Sequence, residues 1–303
     1  MFTLEALKSG KITAASIAAG NRFQLAEGLT EFPREILELA NTLEVLDLTN
    51  NKLSQLPHDF GRLKNLKILF LSNNQFDHVP AVLADCAKLE MISFKSNQVK
   101  TVGEHVLPKQ TRWLILTDNK IETLPNSMGN LQRLQKLALA GNQLRDLPSA
   151  MANCRNLELV RLSANNLSSM PDWLFQLPKL AWLAFAGNDF NRQEHAADML
   201  NVNMASIKLN QQIGEGASGI IYHANWLDKK DSTAINSNPV AVKLFKGSIT
   251  SDGYPLDELN SCLIAGQHPN LINVLAKIVQ KDQLGLIMEL IPESFSNLGL
   301  PPS

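Results

Sequence analysis

Three glycines, Gly214, Gly216 and Gly219, follow one another in a Gly-x-Gly-x-x-Gly spacing. Because glycine has no Cβ, such a stretch lets backbone amides come close to phosphate groups. The glycine spacing alone predicts binding of a phosphorylated ligand only weakly, because several unrelated folds use it. Lys243 follows in a Val-Ala-Val-Lys run, which by itself favours an ordinary lysine on a strand.

The elements around the glycines decide which of these folds is present. A dinucleotide-binding fold needs a strand before the glycines and a helix after them. Residues 220–226 are instead rich in β-branched and aromatic side chains, so the glycines are expected to join two strands as a hairpin. Residues 255–265 are expected to form a helix, which carries Asp257 and Glu258.

Five segments occur in the order that is typical of the N-terminal lobe of a protein kinase. They are the glycine-rich hairpin, the Val-Ala-Val-Lys strand 240–243, the acidic helix, the His-Pro-Asn turn 268–270 and the strand 285–290 before a hinge. The segment therefore resembles a kinase N-lobe. In the residues before it, leucine-like residues and an asparagine recur at a nearly constant step of 23 residues, which is a leucine-rich repeat signature. With these repeats, the whole chain resembles a soluble leucine-rich repeat protein kinase of bacterial type.

This resemblance implies ATP as the cofactor and a catalytic pair. Lys243 would hold the α- and β-phosphates, and a helix carboxylate would orient Lys243. Glu258 is the first candidate for that carboxylate and Asp257 is the alternative. The residues implied to contact ATP are Ile213, Gly214, Gly216, Ser218, Gly219, Ile221, Ala241, Lys243, Met288, Glu289 and Leu290.

The adenine end of the implied site is apolar. Ile221 and Ala241 would pack on the adenine ring, and Met288 would be the gatekeeper. Glu289 and Leu290 would offer hinge backbone groups to the base.

The kinase motifs stop at the hinge. The His-Arg-Asp loop, Asp-Phe-Gly and Ala-Pro-Glu do not occur before Ser303. Phosphoryl transfer needs groups that orient the substrate and hold Mg²⁺, so the chain alone is expected to be inactive and to use Mg²⁺ only together with a C-terminal lobe. Truncation of a kinase, of the serine/threonine type, is the favoured interpretation. The alternative is a non-catalytic interaction protein with a remnant lobe.

A repeated pattern occupies the chain before this lobe. Leucine-like residues at fixed spacing are followed by an asparagine seven times, with a step of 23 residues that is once 22. This is the signature of a leucine-rich repeat array, whose short strands stack into one core. Most repeats continue with Leu-x-x-Leu-Pro, but Gly103 replaces the proline in the third. The repeated asparagines are Asn51, Asn74, Asn97, Asn119, Asn142, Asn165 and Asn188.

The predicted fold class is α/β, a leucine-rich repeat solenoid followed by a small α+β kinase N-lobe. Residues 1–42 would form an N-terminal cap and a degenerate repeat, and residues 43–191 the repeats. Residues 192–205 would form a C-terminal cap and linker, and residues 206–303 an incomplete N-lobe.

The variable strand positions should lie exposed on the concave surface, including Asp47, Ser93 and Ala138. Apolar and aromatic side chains recur there, which is typical of protein-binding surfaces. We therefore expect a protein or peptide ligand, unless the chain's own second domain covers the patch or the patch is merely tolerated. The predicted contact residues are Ile68, Phe70, Met91, Trp113, Ile115, Arg161 and Trp182.

Composition excludes several other classes of protein. The formal charge of −1 gives no basic bias towards nucleic acid, and no apolar run is long enough to span a membrane. Cys86 and Cys154 are three repeats apart, about 14 Å at one strand spacing per repeat, which is beyond disulfide reach. A cytoplasmic location follows as an expectation. His and Cys show no metal-ligand spacing, and Cys262 alone gives little support to a repeat-containing ubiquitin ligase.

Overall fold

The computed structural model describes residues 2–17, 21–191, 199–216, 218–227, 237–246, 253–264, 268–281, 283–292 and 294–295. The chain divides into two compact units, one that holds the repeats and one that holds the segment with the glycine-rich hairpin. Each unit has its own sheet. Of the predicted linker, residues 192–198 lie outside the described residues.

Eight three-residue strands form a parallel sheet in the described part of the repeat unit. The central residue of each strand pairs with the central residue of the next, and from Phe23 to Val160 these side chains are buried. No repeat can bury its apolar residues alone, so this register builds a continuous core. The strands are β1 (Arg22–Gln24), β2 (Val45–Asp47), β3 (Ile68–Phe70), β4 (Met91–Ser93), β5 (Trp113–Ile115), β6 (Lys136–Ala138), β7 (Leu159–Arg161) and β8 (Trp182–Ala184).

Short helices follow the strands on the convex side. Most of them begin directly after a proline, whose fixed φ suits a helix entry. The α-helices of this unit are α1 (Leu4–Lys8), which Thr3 caps, and α2 (Asp172–Phe175). The 3₁₀ helices are Ala14–Ile17, Arg34–Leu39, Phe60–Arg62, Ala81–Asp85, Asn126–Asn130, Ser149–Asn153 and Asp189–Asn191.

The repeated asparagines tie neighbouring repeats together. The Asn165 amide donates to the carbonyl oxygens of Leu139 (3.0 Å) and Leu162 (2.9 Å), and its Oδ1 accepts from the Leu144 N–H (3.0 Å). Buried backbone groups of two repeats are thereby satisfied, as the sequence predicted.

The reversal of the chain is made one residue earlier than predicted. The residue before each repeated asparagine has a positive φ, which the left-handed region requires. The residues at this position are Asn50, Asn73, Ser96, Asp118, Gly141, Ala164 and Gly187.

The prediction that all variable strand positions are exposed is wrong for Asp47, Ser93 and Ala138, which are buried. Asp47 accepts a hydrogen bond from Arg22 (2.8 Å) on the preceding strand. Parallel neighbours lie about 4.8 Å apart, so larger side chains on adjacent strands cover small ones. Ser93, for example, lies between Phe70 and Ile115 in register.

The third repeat is irregular at Gly103. No helix occurs between β4 and β5, all of whose residues are described. Instead the Glu104 carboxylate accepts from the N–H groups of Asn126 (3.1 Å) and Ser127 (2.9 Å) at the start of the next helix. A cavity of about 350 Å³ remains on this side, between the helices of the second and fourth repeats.

The second unit contains an antiparallel sheet of five strands among its described residues, in the order β12-β13-β11-β10-β9. A 3₁₀ turn, Met204–Ser206, precedes it, and the helix α3 (Pro255–Ile264) connects β11 to β12. The strands are β9 (Ile207–Glu215), β10 (Gly219–Leu227), β11 (Ser237–Phe245), β12 (Val274–Gln280) and β13 (Gln283–Glu289).

Candidate functional site

The glycine-rich stretch joins β9 and β10 as a hairpin, as predicted. Ile221 in β10 lies opposite Lys243 in β11, and Ala241 lies opposite Met288 in β13. Directly opposed residues, and residues two apart on one strand, lie on the same face of a sheet. The register therefore brings these four sequence-predicted residues to one face.

The Lys243 side chain is only 16% exposed and lies between the hairpin and α3. Its ammonium group forms an ion pair with Glu258 and donates a hydrogen bond to Ser218 Oγ (2.9 Å). Its Nζ also lies 5.1 Å from the centre of the Phe245 ring. Of the two carboxylates that the sequence left open, Asp257 and Glu258, the structure pairs Glu258 with Lys243.

The hairpin loop is attached to the neighbouring strand. The Lys246 N–H donates to the Ser218 carbonyl oxygen (2.9 Å), and the Gly216 N–H donates to the Gly219 carbonyl oxygen (2.9 Å). The Lys246 side chain forms an ion pair with Glu215. The loop therefore lies close to β11, with Ser218 directed at Lys243.

The three glycines have different surroundings. A Cβ on Gly219 would lie 2.6 Å from the Leu244 carbonyl oxygen, so close packing of β10 on β11 requires glycine there. A Cβ on Gly214 would make ordinary contact with Ile221, and one on Gly216 would have nothing within 4 Å. The sequence assigns all three glycines to contact with phosphate, whereas the close packing of β10 on β11 is sufficient to explain Gly219.

The hinge end of the site holds a contact that the sequence did not indicate. The Glu289 carboxylate accepts from the backbone N–H (2.9 Å) and the side-chain amide (2.9 Å) of Asn273. The donated backbone N–H, together with the amide, lowers the pKa of Glu289 below its usual value. The Glu289 N–H is used as well, since it donates to the Asn273 carbonyl oxygen (3.0 Å). That N–H is therefore not open to adenine, while Leu290 follows the end of β13.

Ile213 is 47% exposed near the end of β9. The five-stranded sheet has two clusters of buried apolar side chains, and Ile213 belongs to neither of them. Met288, in contrast, packs against the cluster that contains Leu286, on the α3 side.

The predicted concave surface holds a contiguous apolar row. Ile68, Met91 and Trp113 are aligned in register across β3, β4 and β5 and are half-buried. They line a shallow groove of about 220 Å³. Phe70 and Ile115 lie on the same strands, separated by Ser93.

Charged residues surround this groove. Lys67, Glu90 and Arg112 line it, and Glu90 accepts a hydrogen bond from Arg112 (3.3 Å). On the next strand, the Lys136 ammonium lies 3.9 Å from the centre of the Trp113 ring. Arg161 is half-buried on β7, and Trp182 on β8 is 54% exposed.

The described residues contain no group of three His, Cys, Asp or Glu side chains that could hold a metal ion, and none of their helices could cross a membrane. The three cysteines, all described, form no disulfide.

Residues 41–99 match the family described as leucine rich repeat, and residues 207–297 match the family described as protein tyrosine and serine/threonine kinase. A plant intracellular Ras-group-related LRR protein 7 of Oryza sativa subsp. japonica is 46% identical over 35 residues. That match covers 12% of this chain and 13% of the rice protein, so the chain spans a small part of this curated relative.

Two solved structures resemble the repeat region. Internalin C2 of Listeria monocytogenes is 22% identical, with a TM-score of 0.53 over 64% of this chain and 87% of that chain. A leucine-rich repeat protein of Leptospira interrogans is 28% identical, with a TM-score of 0.45 over 56% of this chain and 50% of that chain. The internalin likeness concerns the fold alone. The chain combines a leucine-rich repeat region with a protein kinase domain region.

Proposed function

We propose that the second unit binds ATP and forms the N-terminal half of a protein kinase active site. The observation that carries this proposal is the ion pair of Lys243 with Glu258, on the face where Ile221, Ala241 and Met288 lie. A half-buried ammonium beside apolar residues suits a ligand with phosphates at one end and a flat base at the other. The residues present therefore fit the nucleotide.

In this proposal Lys243 binds phosphate oxygens while Glu258 holds its side chain in place. To do so, Lys243 exchanges its hydrogen bond to Ser218 for one to the ligand. Gly214 and Gly216, which no packing contact requires to be glycine, leave the loop backbone accessible to the phosphates. The bound nucleotide, with Mg²⁺, would supply the phosphoryl group. Transfer is proposed only for a protein that also carries the catalytic-loop and magnesium-binding motifs.

The test is nucleotide affinity of the protein purified from its own cells. We expect Lys243→Ala to abolish binding of a fluorescent ATP analogue, while Lys208→Ala, on the exposed side of β9, leaves it unchanged. Equal affinity of the Lys243→Ala variant and the wild type would reject the proposal.

A second function is favoured by the groove over Ile68, Met91 and Trp113. The repeat unit is proposed to bind an extended protein segment there, with an apolar side chain in the groove. It would bring a substrate or regulator to the attached kinase region. The unpaired cysteines agree with a cytoplasmic location for both activities.

A further inference from the structure

The edge of the five-stranded sheet is covered by the residues that precede it. β12 is an edge strand, and residues 200–202 run parallel beside it. The Val202 N–H donates to the Lys277 carbonyl oxygen (2.8 Å), and the Lys277 N–H donates to the Leu200 carbonyl oxygen (2.9 Å). Unpaired groups of an edge strand are thus satisfied from within the chain.

Asn201 extends this pairing with its side chain. Its Oδ1 accepts from the Val279 N–H (3.0 Å), and its amide donates to the Val279 carbonyl oxygen (3.5 Å). The Asn201 side-chain amide therefore pairs with Val279 of β12 as a peptide group of a neighbouring strand would. These contacts fix the position of the segment along the strand.

The segment reaches both faces of the sheet. Val202 is buried in the cluster that includes Val242 and Ile287. Met199 packs instead against Leu259 and Leu286 on the α3 side. Residues 199–202 therefore contact both faces of the sheet at its β12 edge.

The Met199 contact lies next to the candidate site. Leu286 pairs in register with Lys243, so both lie on one face of the sheet. Leu259 is the buried side chain that seats the middle of α3 on that face, and it directly follows Glu258. A movement of Leu259 away from Leu286 would therefore change the position of Glu258 relative to Lys243.

We propose that residues 199–202 are a positioning segment that holds α3 against the sheet and so sets the Lys243–Glu258 ion pair. The expected effect on nucleotide affinity rests on the proposed function, whereas the expected effect on the packing of α3 does not.

The test uses Cys262, which belongs to α3 and packs against the same Leu259–Leu286 cluster. Its rate of reaction with iodoacetamide, followed by peptide mass mapping in the full chain, measures how firmly α3 is seated. We expect Met199→Ala and Asn201→Ala each to raise this rate by about three- to tenfold, since both remove contacts of the segment. Cys86 and Cys154, buried in the repeat core, should stay unlabelled.

Two controls separate this role from general loss of structure. Met199→Leu keeps an apolar side chain of similar size and should restore the wild-type rate. Leu200→Ser alters a side chain that is 61% exposed and should have no effect. An unchanged Cys262 rate in both Met199→Ala and Asn201→Ala would overturn the inference, and so would a rate in Leu200→Ser equal to theirs.

Affinity for the fluorescent ATP analogue distinguishes this inference from the proposed function. If both hold, Met199→Ala weakens nucleotide binding and Met199→Leu restores it. If no variant and no wild type binds nucleotide, the proposed function fails. The Cys262 rates then still decide whether the segment positions α3.

Discussion

Lys243 and Glu258 lie 15 positions apart in the sequence and form an ion pair between β11 and α3. The ammonium also donates to Ser218 of the hairpin, so a single cation joins the loop, the sheet and the helix. The loss of this ion pair should cost little folding free energy, because Glu258 is 40% exposed and water can replace its partner.

The ion pair predicts that Lys243→Ala lowers nucleotide binding much more than it lowers stability. We expect the free energy of unfolding to fall by at most about 2 kcal/mol, while binding of the ATP analogue is lost. Chemical denaturation and a fluorescence titration measure the two quantities. A large loss of stability with retained binding would identify Lys243 as a structural lysine.

The glycines of the hairpin provide a second prediction. Gly219→Ala should destabilise the second unit by about 1–3 kcal/mol, because the new Cβ would overlap the Leu244 carbonyl oxygen. Gly216→Ala should leave stability unchanged but weaken nucleotide binding, since its Cβ would point into the space assigned to phosphate. Thermal unfolding and the same titration test this pair, and equal effects of the two substitutions on both readouts would contradict it.

The asparagine ladder predicts a large effect from a small change. Asn165→Ala leaves the buried Leu144 N–H without its partner, at a cost of about 1–3 kcal/mol, while the Leu139 and Leu162 carbonyl oxygens keep the hydrogen bonds that Asn142 and Asn188 donate to them. Asn153→Ala, on the exposed convex side, is the matched control. Urea denaturation followed by tryptophan fluorescence gives both values, and similar stabilities for the two variants would refute the role of the ladder.

The concave groove predicts selective loss of peptide binding. Peptides selected from a random display library on the intact chain should fail to bind Trp113→Glu, because a carboxylate would enter the apolar row. They should still bind Phe175→Glu, which alters a 64% exposed side chain in α2. Surface plasmon resonance with the selected peptides decides. Undiminished binding to Trp113→Glu would remove the groove as the binding site.

Thiol reactivity provides a pH-dependent prediction. Burial raises the pKa of Cys86 and of Cys154 to about 11, so at pH 8 roughly one such thiol in a thousand is ionised. Folding therefore favours their protonated form. Their contribution to stability is complete below the unfolded pKa of 9.0 and is lost as the pH rises towards 11. Iodoacetamide at pH 8 should label Cys262 first, and earlier labelling of Cys86 would contradict this order.

Much of the architecture could be predicted from the sequence because it depends on local spacing. The period of the asparagines predicts the parallel strands, and the β-branched residues after the glycines predict a hairpin rather than a strand-turn-helix. Lys243 and Met288 could be singled out through the resemblance to kinase motifs, because those motifs are short and contiguous.

The tertiary structure decided what depends on contacts between distant residues. Spacing could not choose between Asp257 and Glu258, because one residue on a helix turns the side chain by about 100° and the seating of Leu259 selects the one that faces Lys243. Spacing also could not show that Ser93 is buried, because its burial follows from the short distance between adjacent strands. Met199 had no sequence signal at all. Its proposed role depends on contacts with a helix and a sheet that later residues form. Contacts of that kind are determined by packing over the whole unit and not by local spacing.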